Sequence, residues 1–226
     1  LPTEYNLYAF NGSQITAKDF QNTNANAEFM LDKSTFTATN AVSFQSAKIG
    51  VQNGAQFSAN SLNFTENSTL VLNDKATLTL TQELKGKDLT IYLDKASKLN
   101  ANSLTSTGAS TINLNDNAVL TLENALTSKG LTLTLENESK FTANTLTASG
   151  VVNLKGDENA TLTLDTLNLN NGNATLNANG SITNLNLNNV KETAIGENVS
   201  ITTLKLTEST ANLQNLNTNA LKSIDL

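Results

Sequence analysis

The sequence contains no cysteine, histidine or tryptophan, and one proline, Pro2. It also lacks arginine, so all 14 basic residues are lysines. Each absence removes a chemistry. Without cysteine there is no disulfide and no thiolate metal site. Without histidine or cysteine, nucleophilic catalysis of the Ser-His-Asp or Cys-His kind has no base, and zinc loses its usual ligands. Charged residues make up 15% and the net charge is −6. No basic patch forms, which argues against nucleic acid or an anionic membrane as a partner. No apolar run is long enough to span a membrane as a helix. The opening Leu-Pro-Thr-Glu is not a basic segment followed by an apolar run. No signal peptide is read there, and the chain looks like a mature or excised piece.

What the sequence does have is a repeat. From Leu7 to Leu169 an apolar anchor returns every 21 residues: Ile15, Phe36, Phe57, Leu78, Leu99, Leu120, Phe141 and Leu162. Two residues after it comes a small or aliphatic one, from Ala17 and Ala38 to Leu164. Another apolar pair stands eight and six residues before the anchor, as in Leu7/Ala9, Ile49/Val51, Leu70/Leu72 and Ile91/Leu93. On this spacing the second coil places Glu28 and Met30 in those columns. Glu28 is out of character, so Phe29 or Leu31 is left to fill the gap. A third apolar position follows each anchor, at Phe20, Leu62, Leu104, Leu146 and Leu167. Matching columns at a fixed period mean one unit stacked on copies of itself.

Apolar residues two apart have the strand period. Polar steps such as Asn53-Gly54-Ala55 and Asp116-Asn117-Ala118 mark the turns between them. Short strands that return to the same place describe one coil of a parallel β-helix, with each strand about 4.8 Å from its equivalent one coil on. The predicted fold class is therefore all-β: a right-handed parallel β-helix, or solenoid, of about eleven coils of 19–21 residues. Its hand follows from the bias of parallel crossovers. Residues 1–226 read as one β-helical domain, with regular coils over 7–169 and shortened coils over 170–226. In the shortened part the anchors read Ile182, Ile201 and Leu221. Residues 1–6 read as a ragged start. Solenoids need polar caps for solubility and none is visible, so a longer parent is expected. The spacing of Leu164, Leu167 and Leu169 echoes the leucine-rich repeat, but the rest of each unit is Thr, Asn, Leu and Val, which are poor helix material.

Two columns say more. Where the anchor is Phe, the residue two later is Ala, as in Phe36/Ala38, Phe57/Ala59 and Phe141/Ala143. Where that residue is Leu, the anchor is Leu as well, so the summed volume stays even. Four residues before the anchor the turn column reads Asn11, Asp32, Asn53, Asp74, Lys95, Asp116, Asn137 and Glu158. Carboxylates then fall on alternate coils, about 10 Å apart and near the screening length.

Candidate chemistry is sparse. Carboxylates working as general acid and base must be close together. Here only Asp157 with Glu158, or Asp165, forms a local acidic cluster, and it reads as a solvated corner. No Gly-Gly-x-Gly-x-Asp calcium roll occurs. Asp157-x-Asn159-x-Thr161 has the acidic residue that bacterial glycosylation favours, among several Asn-x-Ser/Thr triplets expected from composition. Corner residues Asn60, Asn102 and Asn124 are expected to bond along the stack. No catalytic, cofactor-binding or metal-binding residue is assigned, no cofactor is expected, and the chain is not expected to be an enzyme.

The Cys-free, Asn/Thr/Ser-rich coils of about 21 residues resemble the passenger domain of a bacterial autotransporter. The shape Leu-x-Leu-Asn-Asp-x-Ala-x-Leu, from Leu70 to Leu78 and again from Ile112 to Leu120, is similar to the pertactin-like and vacuolating-cytotoxin-like β-helices. Large exoproteins of the haemagglutinin type look similar too. The resemblance implies export across the outer membrane and display at the bacterial cell surface, or secretion. It implies an adhesin or structural stalk whose partner is a host-cell or bacterial surface receptor, or another copy. A toxin fragment mediating receptor binding or oligomerisation, and a polysaccharide-active enzyme, are the alternatives.

Overall fold

Alternation of apolar and polar residues gives each strand a buried and an outward side. In Ser68–Asn73, Ser68, Leu70 and Leu72 are buried, while Thr69, Val71 and Asn73 turn outward. The computed structural model describes residues 6–216 and 218–226, so all but the last residue of the ragged start expected over residues 1–6 lies outside the described residues. Every strand pairing is parallel, and no helix occurs among the described residues. The chain is an all-β parallel solenoid with three strand columns. The third runs Phe20, Val42, Leu62, Leu84, Leu104, Leu126, Leu146, Leu167, Leu185, Leu204 and Ile224, giving about ten turns at the strand spacing. The anchor column pairs as its 21-residue spacing requires, from Ile15 on Phe36 to Phe141 on Leu162.

The second coil departs from the period. Leu7 pairs with Phe29 and Phe29 with Ile49, a step of 22 residues followed by one of 20. Phe29 and Leu31 are fully buried and hold the two columns. Met30, expected inside, faces outward and lies over Gly50, where an added Cβ would meet its sulfur. The slip carries into the turn. Lys33, with φ of 50°, replaces Asp32 in the corner column, and its carbonyl accepts the Gly12 N–H at 2.8 Å. The column in space therefore runs Asn11, Lys33, Asn53, Asp74, Lys95, Asp116 and Asn137, and its carboxylates do not alternate from the start.

The shortened coils differ as well. Ile182 stands on Leu164, two places past the expected anchor, and Gly180 stands on Leu162. The step there is 18 residues, and the next, from Gly180 to Val199, is 19. A side chain is missing from the anchor column at the point where the coil tightens.

Six corners before the anchor, beginning at Asn11, Asn53, Asp74, Lys95, Asp116 and Asn137, are two-residue turns with positive φ at both central residues, the primed type, whereas the Lys33 corner has positive φ at Lys33 alone. Asp74 and Lys75 have φ of 50° and 61°, and the Ala76 N–H closes onto the Asn73 carbonyl at 3.3 Å. Gly12 and Gly54 supply the second position at no steric cost, but Ala96 holds it at φ of 58°. For an L-residue this region costs roughly 1–2 kcal/mol. Ala96→Gly is therefore expected to raise the unfolding free energy by about 0.5–1 kcal/mol, less than the full strain because glycine gains freedom in the unfolded chain. A thermal midpoint that falls on this substitution would contradict the turn assignment.

Candidate functional surface

The outside of the solenoid is built from residues that alternate with the core, so its polar groups stand in columns one coil apart. Side-chain amides bond along these columns. The Asn186 amide donates to Asn168 Oδ1 at 2.8 Å, Asn189 to Asn171 at 2.7 Å, and Asn137 to Asn115 at 2.7 Å. Asn124 donates to Asn102 as the sequence suggests, whereas Asn60 accepts from the Thr81 hydroxyl at 2.8 Å and Gln82 separates it from Asn102. An amide in such a ladder uses one donor and one acceptor along the axis and keeps the others for solvent or a ligand. Two open grooves lie on these columns. One, of about 380 Å³, is lined by Glu28, Lys48, Asn67, Thr69 and Asp88. Another, of about 530 Å³, is lined by Asn168, Asn170, Asn186, Asn188 and Lys205.

The acidic cluster resolves into separate roles. Asp157 sits at the corner that follows the last primed turn. Its Oδ2 accepts the Asn137 N–H of the preceding coil at 2.6 Å, and its Oδ1 accepts the N–H groups of Asn159 and Ala160 at 2.9 and 2.8 Å. The carboxylate thus caps the N–H of the first residue of the last primed turn, whereas in the primed corners before it a carbonyl of the next coil accepts the N–H of the second, as the Asn137 carbonyl accepts that of Asn117. The bond from Asn137, with those from Ala160 and Asn159, holds its pKa below the ordinary aspartate value. Glu158 is exposed, and its main-chain carbonyl accepts the Asn179 amide at 2.9 Å. Asp165 lies at the next corner of the coil, exposed, within 3.4 Å of the Thr166 hydroxyl. Among the described residues no three acidic side chains gather closely enough to hold a metal ion.

A pH dependence follows. A depressed pKa means that Asp157 contributes stability above its unfolded pKa, and that this contribution is lost as pH falls through the folded value. Asp157→Asn is expected to lower the denaturation midpoint at neutral pH and to match the parent chain at acid pH. A difference that persists unchanged into acid would show that the carboxylate charge is not involved.

Sequence reasoning missed one surface feature. Tyr8, Phe10 and Tyr92 are 48%, 48% and 44% exposed; Tyr8 and Tyr92 stand on the outward side of the first strand column, and Phe10 directly follows its first strand, Leu7–Ala9. The Tyr8 and Phe10 rings are parallel, with centroids 6.3 Å apart. The Tyr8 hydroxyl donates to Glu28, which holds the phenol above its ordinary pKa. The signal was present: Tyr8 lies between Leu7 and Ala9, and Tyr92 between Ile91 and Leu93, the outward places of a strand. Comparison of the chain with known protein families, curated proteins and solved structures returned no match.

Proposed function

We propose that this chain is a β-helical segment of a secreted or surface-displayed bacterial protein of the autotransporter-passenger type, acting as an adhesin or structural stalk. The observation that supports this most is the parallel ladder that runs from coil to coil, whose outer amides and hydroxyls bond along the axis and leave a long polar side. Such a fold needs no disulfide, and stability grows by adding coils, both of which suit a chain that folds after export. Function on this reading comes from many polar contacts along the side, made to a host-cell or bacterial surface receptor or to another copy. It involves no substrate turnover. Without imidazole, thiol or guanidinium, proton transfer near neutral pH would fall to carboxylates or lysines. Asp157, whose pKa is lowered, is tied to three backbone N–H groups.

The test is display of the chain on an outer-membrane β-barrel in a non-adherent bacterium. Gain of adhesion to host cells or to other bacteria is the expected result. Absence of both, with the chain surface-exposed by protease shaving, would refute the adhesin role. Release of product from a neutral or acidic polysaccharide, abolished by Asp157→Asn or Asp165→Asn, would favour the enzyme instead.

A further inference from the structure

We propose that the outward stripe Tyr8, Phe10, Met30, Val71 and Tyr92 binds a neutral oligosaccharide laid along the solenoid axis. This deepens the binding role proposed above and rests on it. Tyr8, Met30, Gly50, Val71 and Tyr92 stack in one outward column across five coils. Phe10 stands beside Tyr8 with its ring parallel. Among the described residues, these three aromatic side chains are the exposed ones; the phenylalanines other than Phe10 are buried or partly buried in the core. At Gly50 the backbone itself lies at the floor of the stripe, covered by the Met30 thioether. Beyond Tyr92 the column becomes Asn113 and Thr134, so the apolar part ends there.

The shape selects the ligand. The flanking outward residues are Glu28, Lys48, Thr69 and Thr90 on one side, and Asp32, Gln52, Asn73 and Asp94 on the other. Apart from Phe10, which widens it beside Tyr8, the apolar stripe is therefore one residue wide. Its length is about 20 Å, and with three half-exposed rings of roughly 100 Å² each its area is about 300–400 Å², below the ~800 Å² per partner of a stable protein interface. A second copy or a folded partner is too broad for it, and a narrow linear chain fits. Charge narrows the choice further. Glu28, Asp32 and Asp94 flank the stripe against the single cation Lys48, which disfavours an acidic polysaccharide. A neutral glycan presents C–H faces that pack on aromatic rings, and hydroxyls that the flanking Thr69 and Thr90 can bond. Tyrosine suits this role because its ring is rigid and one end is polar.

The experiment uses the full chain and hexasaccharides of β-1,4-linked glucose, β-1,4-linked N-acetylglucosamine and α-1,4-linked glucose, with a heparin hexasaccharide as the anionic comparison. Binding is read by saturation-transfer NMR and titration calorimetry. At least one neutral hexasaccharide is expected to bind. Tyr92→Ala is expected to weaken it about tenfold, as loss of one stacking ring implies, and Thr134→Ala, past the end of the stripe, to leave it unchanged. Because Tyr92 is exposed, an unaltered thermal midpoint verifies that the variant is folded. Four results would overturn the proposal: no neutral hexasaccharide bound, heparin bound in preference, equal effects of Tyr92→Ala and Thr134→Ala, or a chain dimer that Tyr92→Ala dissociates. If the displayed chain still mediates adhesion and Tyr92→Ala leaves that intact, the glycan stripe fails while the adhesin reading stands. If hexasaccharide binding holds without adhesion, the reverse is true.

Discussion

Replacing Phe29 by alanine is expected to lower the unfolding free energy by about 3–5 kcal/mol, the range for an aromatic truncated in a packed core. Phe29 is fully buried, and its ring meets those of Phe20, Phe36, Phe44 and Phe57 with centroids 5.6, 5.0, 5.9 and 5.5 Å away. Three of these pairs are edge-on or nearly so, at 83°, 90° and 85°, the arrangement that ring quadrupoles favour. The void cannot close easily, because backbone ladders pin the coil on both sides. Met30→Ala, one residue on, is expected to cost less than about 1 kcal/mol, since that side chain is outside the core. The pair tests the slip of the second coil. Equal or reversed effects in a denaturant titration would show that the 21-residue period continues unbroken and that Met30 is inside. Because a solenoid's coils contact only their neighbours, the loss for Phe29→Ala should appear first as faster hydrogen exchange over the phenylalanine-rich coils.

Gly180→Ala is expected to cost about 3 kcal/mol and to loosen the last coils. Gly180 stands on Leu162 in the ladder with φ of +157°, and an added Cβ would overlap the Leu162 carbonyl oxygen and come within 2.8 Å of its nitrogen. Both are backbone atoms held in parallel pairing, so neither can swing aside. Overpacking of this kind costs roughly 1–3 kcal/mol, and the unfavourable φ adds about 1 or more. Gly54→Ala is the comparison. Gly54 has φ of 74°, but nothing lies within 4 Å of the added Cβ, so only the left-handed backbone is penalised, by about 1–2 kcal/mol. Hydrogen exchange over residues 180–206 should accelerate for Gly180→Ala and not for Gly54→Ala. Equal protection in both variants would mean that the coil can widen at Leu162, and that glycine is not what permits the 18-residue step.

The candidate surface was partly legible. The hydrogen bond from the Asn124 amide to Asn102 follows from their recurrence at one corner. The part played by Asp157 was not legible. A carboxylate beside Glu158 looks like a solvated corner until the preceding coil is seen to bring the Asn137 N–H to it. The stripe of Tyr8 and Tyr92 was visible only as two outward places on distant strands. Pairing across five coils makes it a stripe.

By itself the sequence determined the parallel solenoid and most of its core. A repeat of 21 residues with apolar places two apart admits few other folds, and Ile15, Phe36, Phe57 and Leu78 take the same place in every coil they occupy. What only the tertiary structure decided is the phase of each coil against the one before. Strand alternation says that every second side chain is buried, but a slip of one residue exchanges the two faces at no local cost. Phe29 and Leu31 displace Met30, Lys33 displaces Asp32, and Gly180 comes to stand on Leu162, because the neighbouring coil sets the register through its backbone hydrogen bonds and the volume it leaves free. That information lies in contacts about twenty residues away along the chain, where local propensity does not reach.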